Sequence, residues 1–360
     1  MPTDPLDPLR EKINGIDAEI VRLLNDRAKV VHEVGKVKQA TGTEPWVPHR
    51  EKEIFERIER ASAGPLKSAG LKAIYREVLS ACREIEKPLR VAYFGAPASY
   101  SHLAARAKFG SAVECVSIHG IEGVFSEVQR RQVDYGVVPV ENSTEGGVTQ
   151  TLDMFIEHLD TDLRIVSEIM LPIHHALLAK CKPVEVKRIY SHPNALGQCR
   201  KWLSNHFGGV DLIDVISTSK AAETAKHQAH TAAIASLEAG EIYGLDVLFE
   251  NVEDNSNNVT RFFVIGRQKT PPIPKSKTCL LLSVKDQVGA LVKTLLPFEQ
   301  NGLNLTRIES RPSRRKAWEY FFFVDFLGHE DDPKVKKALA ELEKTCHTIR
   351  ILGSFPQAEI

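Results

Sequence analysis

Cysteine is scarce in this chain and shows no paired arrangement. No CxxC motif occurs, and no cysteine lies at zinc-ligand spacing from a histidine. These absences argue against a disulfide framework and against a metal site, and they fit a reducing compartment. The scattered cysteines are Cys82, Cys115, Cys181, Cys199, Cys279 and Cys346.

Net charge and long apolar runs are also missing. Lysine plus arginine equals aspartate plus glutamate, at 47 each, so no bulk charge favours nucleic acid or an acidic membrane surface. Residues 1–10 lack the apolar stretch of a signal peptide, and no later stretch has the length that spans a bilayer. We expect a cytoplasmic protein with neither a membrane nor a nucleic-acid partner.

Three regimes of composition follow one another along the chain. Residues 6–86 have a helical pattern, residues 89–266 alternate short β-branched runs with helical stretches, and residues 278–355 have the order β-α-β-β-α-β. A proline-rich stretch at 267–277 is typical of a stiff linker. We therefore predict an all-α domain at 1–88, an α/β domain at 89–269 and an α+β ferredoxin-like domain at 276–356.

The first predicted helix carries an apolar seam with alternating spacings of four and three. Its members are Leu9, Ile13, Ile16, Ile20, Leu23, Val30, Val34 and Val37. Such spacing is typical of a coiled coil. A helix over residues 6–39 is roughly 50 Å long. The small all-α domain cannot cover a helix of that length by itself. We predict a homodimer, or a higher homo-oligomer, that buries the seam.

Charged residues occupy inward positions on all three predicted helices. Arg27 stands at a seam position, and Lys38, about three turns further on, shares its face. The inward set is Arg27, Lys38, Arg50, Glu51 and Glu86. Arg27 alone could pack its stem while its head reaches water, but the set together indicates a buried site for an anionic ligand. Arg10 lies about 25 Å from Arg27 along the helix, so it could serve only a partner's site.

Several helical segments resemble the chorismate mutase domain of bifunctional chorismate mutase/prephenate dehydratases. They are 9–13, 25–27, 34–38 and 49–51. The resemblance implies an intertwined dimer that binds chorismate without a cofactor. It assigns Arg27 and Arg10 of the partner subunit to the carboxylates, Lys38 and Glu86 to the ether oxygen, and Arg50 and Glu51 to the ring end.

The chemistry of that family matches this inventory of residues. The rearrangement of chorismate is intramolecular, so catalysis rests on holding a compact dianion and on donors at the ether oxygen. The family's best-known members carry glutamine at Glu86 and serine at Cys82, and an aspartate near Val47. Glu86 would need a proton to donate to an oxygen that gains negative charge.

The α/β region contains four stretches similar to prephenate dehydratases. They are 139–143 with 146–148, 190–193 with 198–199, 218–222, and 257–262. The resemblance implies a two-lobed, periplasmic-binding-protein-like domain that closes on prephenate, which loses carbon dioxide and its ring hydroxyl to give phenylpyruvate. Thr260 is the predicted donor to the departing hydroxide.

Other residues of these stretches, together with one residue of the loop 95–101, are assigned to substrate binding. They are Ser99, Asn142, Ser143, Ser191, Gln198 and Thr218. Arg261 is expected either to oppose a carboxylate or to form a surface ion pair. His192, directly before Pro193, is interpreted as a turn residue rather than a general acid.

One loop departs from the dehydratase pattern. The family has Gly-Pro-x-Gly-Thr/Ser-Phe/Tyr-Ser, and this chain has Gly95-Ala96-Pro97-Ala98-Ser99-Tyr100-Ser101. The second glycine is absent, so we expect any backbone position with positive φ to have changed.

The last region is similar to the ACT domain of the same family, in which two segments bind phenylalanine at a dimer interface. Here these are Gly289, Ala290, Leu291 and Val292, followed by Glu309, Ser310, Arg311 and Pro312. A plain packing module is the alternative for this region.

Two alternatives remain for the α/β region. It could act on arogenate in place of prephenate, or it could be a non-catalytic solute-binding module.

Overall fold

The computed structural model describes residues 4–42, 44, 46–284, 287–313 and 319–358. The chain divides into two compact units. The helical unit comprises residues 1–89 and 109–114, and the α/β unit comprises residues 90–108 and 115–360.

The helical unit is built from three predicted elements that the structure confirms. They are α1 (Asp7–Thr41), α2 (Pro48–Ala61) and α3 (Ser68–Glu86). α1 ends at Gly42, whose φ of 67° suits a residue without a Cβ atom. α2 begins at a proline, which tolerates the first turn because no donor is needed there.

A short segment after α3 completes the core of this unit. Trp46, only 1% exposed, packs on Phe109 with ring centroids 4.6 Å apart. The Ala112 amide donates to the Ser80 hydroxyl on α3 at 3.1 Å. The segment 109–114 therefore belongs to the helical core although it lies beyond the predicted domain limit.

The α/β unit begins with the elements of the two-lobed region. In chain order they are β1 (Arg90–Phe94), α4 (Tyr100–Phe109), β2 (Glu114–Ile118), α5 (Ile121–Gln129), β3 (Tyr135–Asn142), β4 (Gly146–Gly147), α6 (Thr149–Glu157), β5 (Arg164–Pro172), β6 (Ala176–Ala179), β7 (Arg188–Ser191), α7 (Pro193–Gln198), α8 (Arg200–His206), β8 (Asp211–Asp214), α9 (Thr218–His227), β9 (Thr231–Ala235), α10 (Leu237–Tyr243), β10 (Asp246–Phe249) and β11 (Val259–Gly266).

These strands form two sheets, one in each lobe. The first has the order β2-β1-β3-β11-β5 with β4 on β3, and the second has the order β10-β6-β9-β7-β8. The chain passes from the first sheet to the second between β5 and β6, and it returns between β10 and β11.

Both sheets contain parallel and antiparallel strand pairs. β1 runs parallel to β3, but β11 runs antiparallel to β3 and to β5. β5 and β11 were not predicted as strands. Both are almost continuously buried, so they lack the alternation that reveals a strand in sequence.

The C-terminal region confirms the predicted ferredoxin-like order. Its elements are β12 (Ser276–Val284), α11 (Ala290–Gln300), β13 (Leu305–Pro312), β14 (Tyr320–Leu327), α12 (Pro333–Leu342) and β15 (Cys346–Pro356). They form an antiparallel sheet in the order β13-β14-β12-β15. The predicted start of one strand at Trp318 lies outside the described residues.

The C-terminal sheet shares a hydrophobic core with the first lobe. Phe263 of β11 and Ile165 of β5 belong to the same buried cluster as Phe323 and Phe355. A Cβ atom on Gly353 would lie 2.0 Å from the carbonyl oxygen of Ile165. Residues 267–275 form neither helix nor strand, as a linker requires, yet the regions they join are packed together.

Candidate active sites

Lys38 and Glu86 form the centre of a candidate site in the helical unit. Lys38 Nζ lies 2.8 Å from Glu86 Oε1, and the two side chains are 23% and 7% exposed. They line a cavity of about 410 Å³ together with Gly35, Gln39 and other residues of the α1 and α3 ends. Lys38 and Glu86 thus meet within one chain, and their assignment to the ether oxygen of a substrate stays a prediction.

Gly35 allows α1 and α3 to approach each other at this point. A Cβ atom there would lie 2.9 Å from Cγ of Glu86 and 3.4 Å from its Cα. The close approach holds the Glu86 side chain beside Lys38.

Arg27 points to α3, as the sequence predicted for an inward seam position. Its Nη1 donates to the Cys82 sulphur at 2.8 Å, and Cys82 is buried. The Arg27 guanidinium therefore has a hydrogen-bond partner within the helical unit and does not reach only into water.

Glu51 pairs with a residue that the sequence analysis missed. Its carboxylate accepts a hydrogen bond from Arg83, and both side chains are nearly buried. Arg83 also donates to the Phe109 carbonyl. It follows Leu79 by four residues and precedes Glu86 by three, so the spacing used for the other inward charges would have found it.

Two other predicted mutase residues point to the surface of this chain. Arg50 is exposed and pairs with Glu53 at 2.8 Å, so the prediction that it points inward along α2 is not met within one chain. Arg10 is also exposed and pairs with Asp4 and Asp7.

In the α/β unit, Thr260 is held by Asn142. Asn142 Nδ2 donates to Thr260 Oγ1 at 2.8 Å and to Asn258 Oδ1 at 2.7 Å. The two residues are brought together because β11 pairs with β3 in a register that sets Thr260 opposite Asn142. Stretches of sequence more than a hundred residues apart thus form one group.

Gln198 belongs to the same group. Its Oε1 accepts from Asn258 Nδ2 at 3.0 Å and lies 2.9 Å from His175 Nε2. Its Nε2 donates to Glu145 Oε1 at 3.3 Å. Burial lowers the pKa of His175, which is 2% exposed. No sequence motif marks His175, which is the second of two adjacent histidines before an apolar strand.

The predicted serines hold backbone atoms around this group. Ser143 and Val259 exchange hydrogen bonds of 2.9 and 3.0 Å between the loop after β3 and the start of β11. Ser191, fully buried, donates to the Ile234 carbonyl at 2.7 Å. Ser99 donates to the Phe94 carbonyl at 3.3 Å. These side chains shape the cleft loops.

Thr218 and His192 lie at helix starts in the second lobe. Thr218 is the first residue of α9 and is half-buried. His192 caps α7, and its Nδ1 accepts from the Asn194 amide at 3.3 Å. That bond fits the interpretation of His192 as a turn residue.

Arg261 lies in a buried ion-pair cluster, so its expected role opposite a substrate carboxylate needs correction. Its guanidinium lies 2.7 Å from Glu168 and 2.5 Å from Asp325, and its side chain is 8% exposed. Burial lowers the pKa of Arg261, but the two carboxylates outweigh burial and raise it. The residue next to Thr260 therefore joins the first lobe to β14.

The loop after β1 corrects another expectation. Ala98 occupies the position of the family's second glycine and has a φ of 63°, so the left-handed conformation is kept without glycine. Such a φ is unfavourable for alanine by about 1–2 kcal/mol. Ala98 is buried, its amide lies 3.2 Å from His102 Nδ1, and its carbonyl accepts from Ser236. These contacts stabilise the strained residue.

The predicted effector segments lie on α11 and β13. Gly289, with a φ of 76°, precedes α11, and Leu291 and Val292 are exposed. Residues of β13 alternate between half-buried and exposed, so Glu309 and Arg311 face one way and Ser310 and Pro312 face the other.

Two of these residues contact the first lobe. Arg311 donates to both oxygens of Asp153 on α6 at 2.9–3.0 Å. A Cβ atom on Gly147 would lie 3.3 Å from the Glu309 carboxylate. One end of the predicted effector site is therefore attached to the dehydratase-like region.

Family models match all three regions of the chain. The prephenate dehydratase model matches residues 91–270, the chorismate mutase type II model matches residues 9–87, and the ACT domain model matches residues 280–344. A bifunctional chorismate mutase/prephenate dehydratase of Aquifex aeolicus is 44% identical over 99% of this chain and 99% of its own length. The chain belongs to the bifunctional chorismate mutase/prephenate dehydratase family. It is an enzyme of phenylalanine biosynthesis with a mutase, a dehydratase and an ACT domain.

Solved structures agree with this assignment. A prephenate dehydratase from Arthrobacter aurescens in complex with L-Phe is 33% identical, with a TM-score of 0.70 over 75% of this chain and 90% of that chain. GqqA, described as a novel type of quorum quenching acylase, is 30% identical, with a TM-score of 0.69 over 75% of this chain and 98% of that chain. The comparisons do not favour the solute-binding alternative.

Two features are absent from the residues that the structure describes. Within the part of the chain that the structure describes, no helix is long and apolar enough to cross a membrane. Nor does any group of three or more His, Cys, Asp or Glu side chains there have a metal-binding arrangement.

Proposed function

We propose that Arg27, Lys38, Cys82 and Glu86 bind chorismate in a mutase site that a second copy of the chain completes. The observation that supports this is the meeting of Lys38 and Glu86 at a cavity between α1 and α3. Arginine forks suit the two carboxylates of the substrate, and Lys38 suits its ether oxygen. No nucleophile or cofactor is required for the intramolecular rearrangement.

The partner in this proposal is a second α1. Leu9, Ile13 and Ile16 of the seam are 55–60% exposed, and no described residue of α1 is buried. An apolar stripe of this length is unfavourable in water. Packing against the same stripe of a second copy buries it and brings Arg10 of the partner subunit near the site. Arg50 and Glu51 then lie at the ring end of the substrate.

The dehydratase domain is proposed to convert prephenate to phenylpyruvate. Thr260 donates to the departing ring hydroxyl, while carbon dioxide is lost and the ring becomes aromatic. Asn142 donates to Thr260, and Gln198 is linked to Asn142 through Asn258. Ser99, Ser143, Ser191 and Thr218 shape the loops that receive the dianion. Prephenate is preferred over arogenate in this proposal because the family model and the curated relative are named for prephenate.

The ACT domain is proposed to bind L-phenylalanine and to inhibit the dehydratase. The Arthrobacter aurescens relative was solved in complex with L-Phe. In this chain the exposed Leu291 and Val292, with outward-facing Ser310, offer the effector surface. Binding of phenylalanine would affect the first lobe through two contacts, that of Glu309 with Gly147 and that of Arg311 with Asp153.

We also propose a cytoplasmic location for the protein, and domain limits at residues 1–88, 89–269 and 276–356. The family models match within or close to these limits. All six cysteines are free thiols in the structure, which fits a reducing compartment.

One coupled assay tests these assignments. The purified chain is supplied with chorismate, and prephenate and phenylpyruvate are followed with and without L-phenylalanine. We expect both products in sequence and a fall in the second step by roughly 5- to 150-fold with effector. Arogenate supplied in place of prephenate should give little phenylalanine. Faster turnover of arogenate would reverse the substrate assignment.

A further inference from the structure

Arg83 is a buried arginine of α3 that hydrogen-bonds to two other segments of the helical unit. Its Nη1 donates to Glu51 Oε1 on α2, and its Nη2 donates to the carbonyl oxygen of Phe109. The side chains of Arg83 and Glu51 are 8% and 12% exposed. Because both bonds come from one planar guanidinium fork, the two acceptors together fix its orientation.

The Arg83 contact places Glu51 beside the part of α3 that carries two other proposed mutase residues. Arg83 directly follows Cys82 in the chain. It lies one helical turn before Glu86, the partner of Lys38. Arg83 occupies only one oxygen of the Glu51 carboxylate, and among the described residues Glu51 Oε2 has no hydrogen-bond partner. That oxygen therefore remains available to a ligand.

The second acceptor of Arg83 is held in place by the core of the unit. Phe109 is fully buried and packs on Trp46. Three residues further along the chain, the Ala112 amide donates to the Ser80 hydroxyl on α3 at 3.1 Å. The backbone of residues 109–112 is thus attached to α3, and it presents the Phe109 carbonyl to Arg83.

Gly110 allows this backbone to approach α3. Its φ is 80°, a left-handed value that suits glycine. A Cβ atom there would lie 2.4 Å from Cβ of Ser80 and 3.3 Å from the carbonyl oxygen of Arg76. A larger residue must push the segment away from α3, so the position of the Phe109 carbonyl depends on this glycine.

We propose that Arg83 is a positioning residue of the mutase. Held by the Phe109 carbonyl, it orients the Glu51 carboxylate so that the second oxygen accepts from the ring hydroxyl of chorismate. This role rests on the proposed function of Glu51 at the ring end of the substrate. The ring hydroxyl takes no part in the bonds that break and form, so a contact to it stabilises bound chorismate and the transition state alike. Loss of Arg83 should therefore raise KM and leave kcat nearly unchanged.

The first experiment measures mutase kinetics of the full chain with chorismate as substrate. Arg83→Lys keeps a cation beside Glu51 but lacks the planar fork that reaches the Phe109 carbonyl at the same time. We expect its KM to rise about 3- to 10-fold, with kcat within about 2-fold of the original value. Arg83→Met removes both hydrogen bonds and should raise KM by about 10-fold or more, the usual value of one hydrogen bond to a charged group.

A second variant moves the Phe109 carbonyl and leaves the Arg83 side chain intact. Gly110→Ala displaces the segment from α3, so we expect mutase KM to rise about 3- to 10-fold. In an Arg83→Met background, Gly110→Ala should raise KM no further, because the bond that it disturbs is already gone. If Arg83→Met does not fold, Arg83→Lys takes its place in this cycle.

Two variants serve as matched controls. Gly209→Ala also places alanine at a positive φ, 96°, but no heavy atom lies within 4 Å of the added methyl group. Lys72→Met breaks another ion pair between α2 and α3, in which Lys72 Nζ lies 3.0 Å from Glu59 Oε1. Both should leave mutase KM unchanged.

The outcomes separate this proposal from the one it rests on. A variant that only unfolds in part has fewer active molecules, so its kcat falls while its KM stays constant. That result for both Arg83→Lys and Gly110→Ala would overturn the positioning role. The double variant Arg83→Met with Glu51→Leu removes the whole ion pair. An unchanged KM in this double variant would instead remove Glu51 from the mutase site.

Discussion

The helical unit and the α/β unit hold their candidate sites in different ways. In the α/β unit, Thr260 is linked to the buried His175 through the side-chain amides of Asn142, Asn258 and Gln198, and the whole group belongs to one chain. In the helical unit, Lys38 and Glu86 meet in a cavity, but Arg10 and Arg50 face solvent and α1 buries none of its described residues. A long helix buries its seam only against another helix, whereas a mixed sheet brings distant strand ends together within one chain.

The largest expected effect is the separate loss of each activity. Arg27→Ala should lower mutase turnover by about 10²–10³-fold, the usual cost of one preorganised donor, and leave dehydration of supplied prephenate unchanged. Thr260→Val should lower dehydration of supplied prephenate and leave mutase turnover unchanged.

Matched controls are available on the same elements. Arg22→Ala removes an exposed arginine of α1, and Thr224→Val removes a hydroxyl that bonds only within α9. Both should leave the two activities intact. Loss of both activities in a folded Arg27→Ala or Thr260→Val variant would mean that the sites are not independent.

A second prediction concerns the ion pair of Arg83 and Glu51. Arg83→Met leaves Glu51 nearly buried and unpaired, so we expect the free energy of unfolding of the helical unit to fall by about 3–5 kcal/mol. Adding Glu51→Leu should recover most of this loss, because the orphaned charge is removed. Arg50→Met, which breaks an exposed pair, should cost less than about 1 kcal/mol. Equal losses at Arg83 and Arg50, measured by denaturant unfolding, would contradict the burial of the first pair.

The third prediction concerns the contact between the ACT sheet and the first lobe. Gly353→Ala places a Cβ atom 2.0 Å from the Ile165 carbonyl, and the backbone must move apart. We expect the free energy of unfolding of the α/β unit to fall by about 3 kcal/mol and phenylalanine inhibition to weaken. Gly120→Ala, where no heavy atom lies within 4 Å of the added methyl, is the control. Unchanged stability in Gly353→Ala would show that β15 is not packed on β5.

The smallest expected effect is a pH dependence of stability. Burial lowers the pKa of His102, His158 and His175 in the α/β unit. The unfolded chain, with histidine pKa values near about 6.5, then binds more protons than the folded chain below that pH. This contribution to stability is complete above the unfolded pKa and is lost as pH falls. Urea unfolding should show a declining free energy from about pH 7.5 to about pH 5, and a weaker decline for His158→Gln. A free energy of unfolding that stays constant over this pH range would mean that these histidine rings are not buried in the neutral form.

Much of the architecture was predictable because its signals are local. The 4-3 seam of α1, the proline that begins α2 and the alternation of strands with helices each depend on neighbouring residues, and the structure confirms these elements. The family motifs assigned Asn142 and Thr260 to one site, but the hydrogen bond between them is visible only in the structure.

The unpredicted features all depend on residues far apart in sequence. The sequence left two roles open for Arg261, a substrate contact and a surface ion pair. Only the packing of β14 against β11 placed Asp325 beside it. Ala98 keeps a left-handed φ because buried contacts stabilise it, although its residue type argues against that conformation.

By itself the sequence determined the order of the domains, the helix and strand types with clear periodicity, and the chemical inventory of each site. Those properties follow from side-chain spacing and residue chemistry along short stretches. The tertiary structure alone decided that the ACT sheet shares a core with the dehydratase and that hydrogen bonds link His175 to Thr260. Burial and hydrogen-bond direction depend on which surfaces meet, and no single stretch of sequence carries that information.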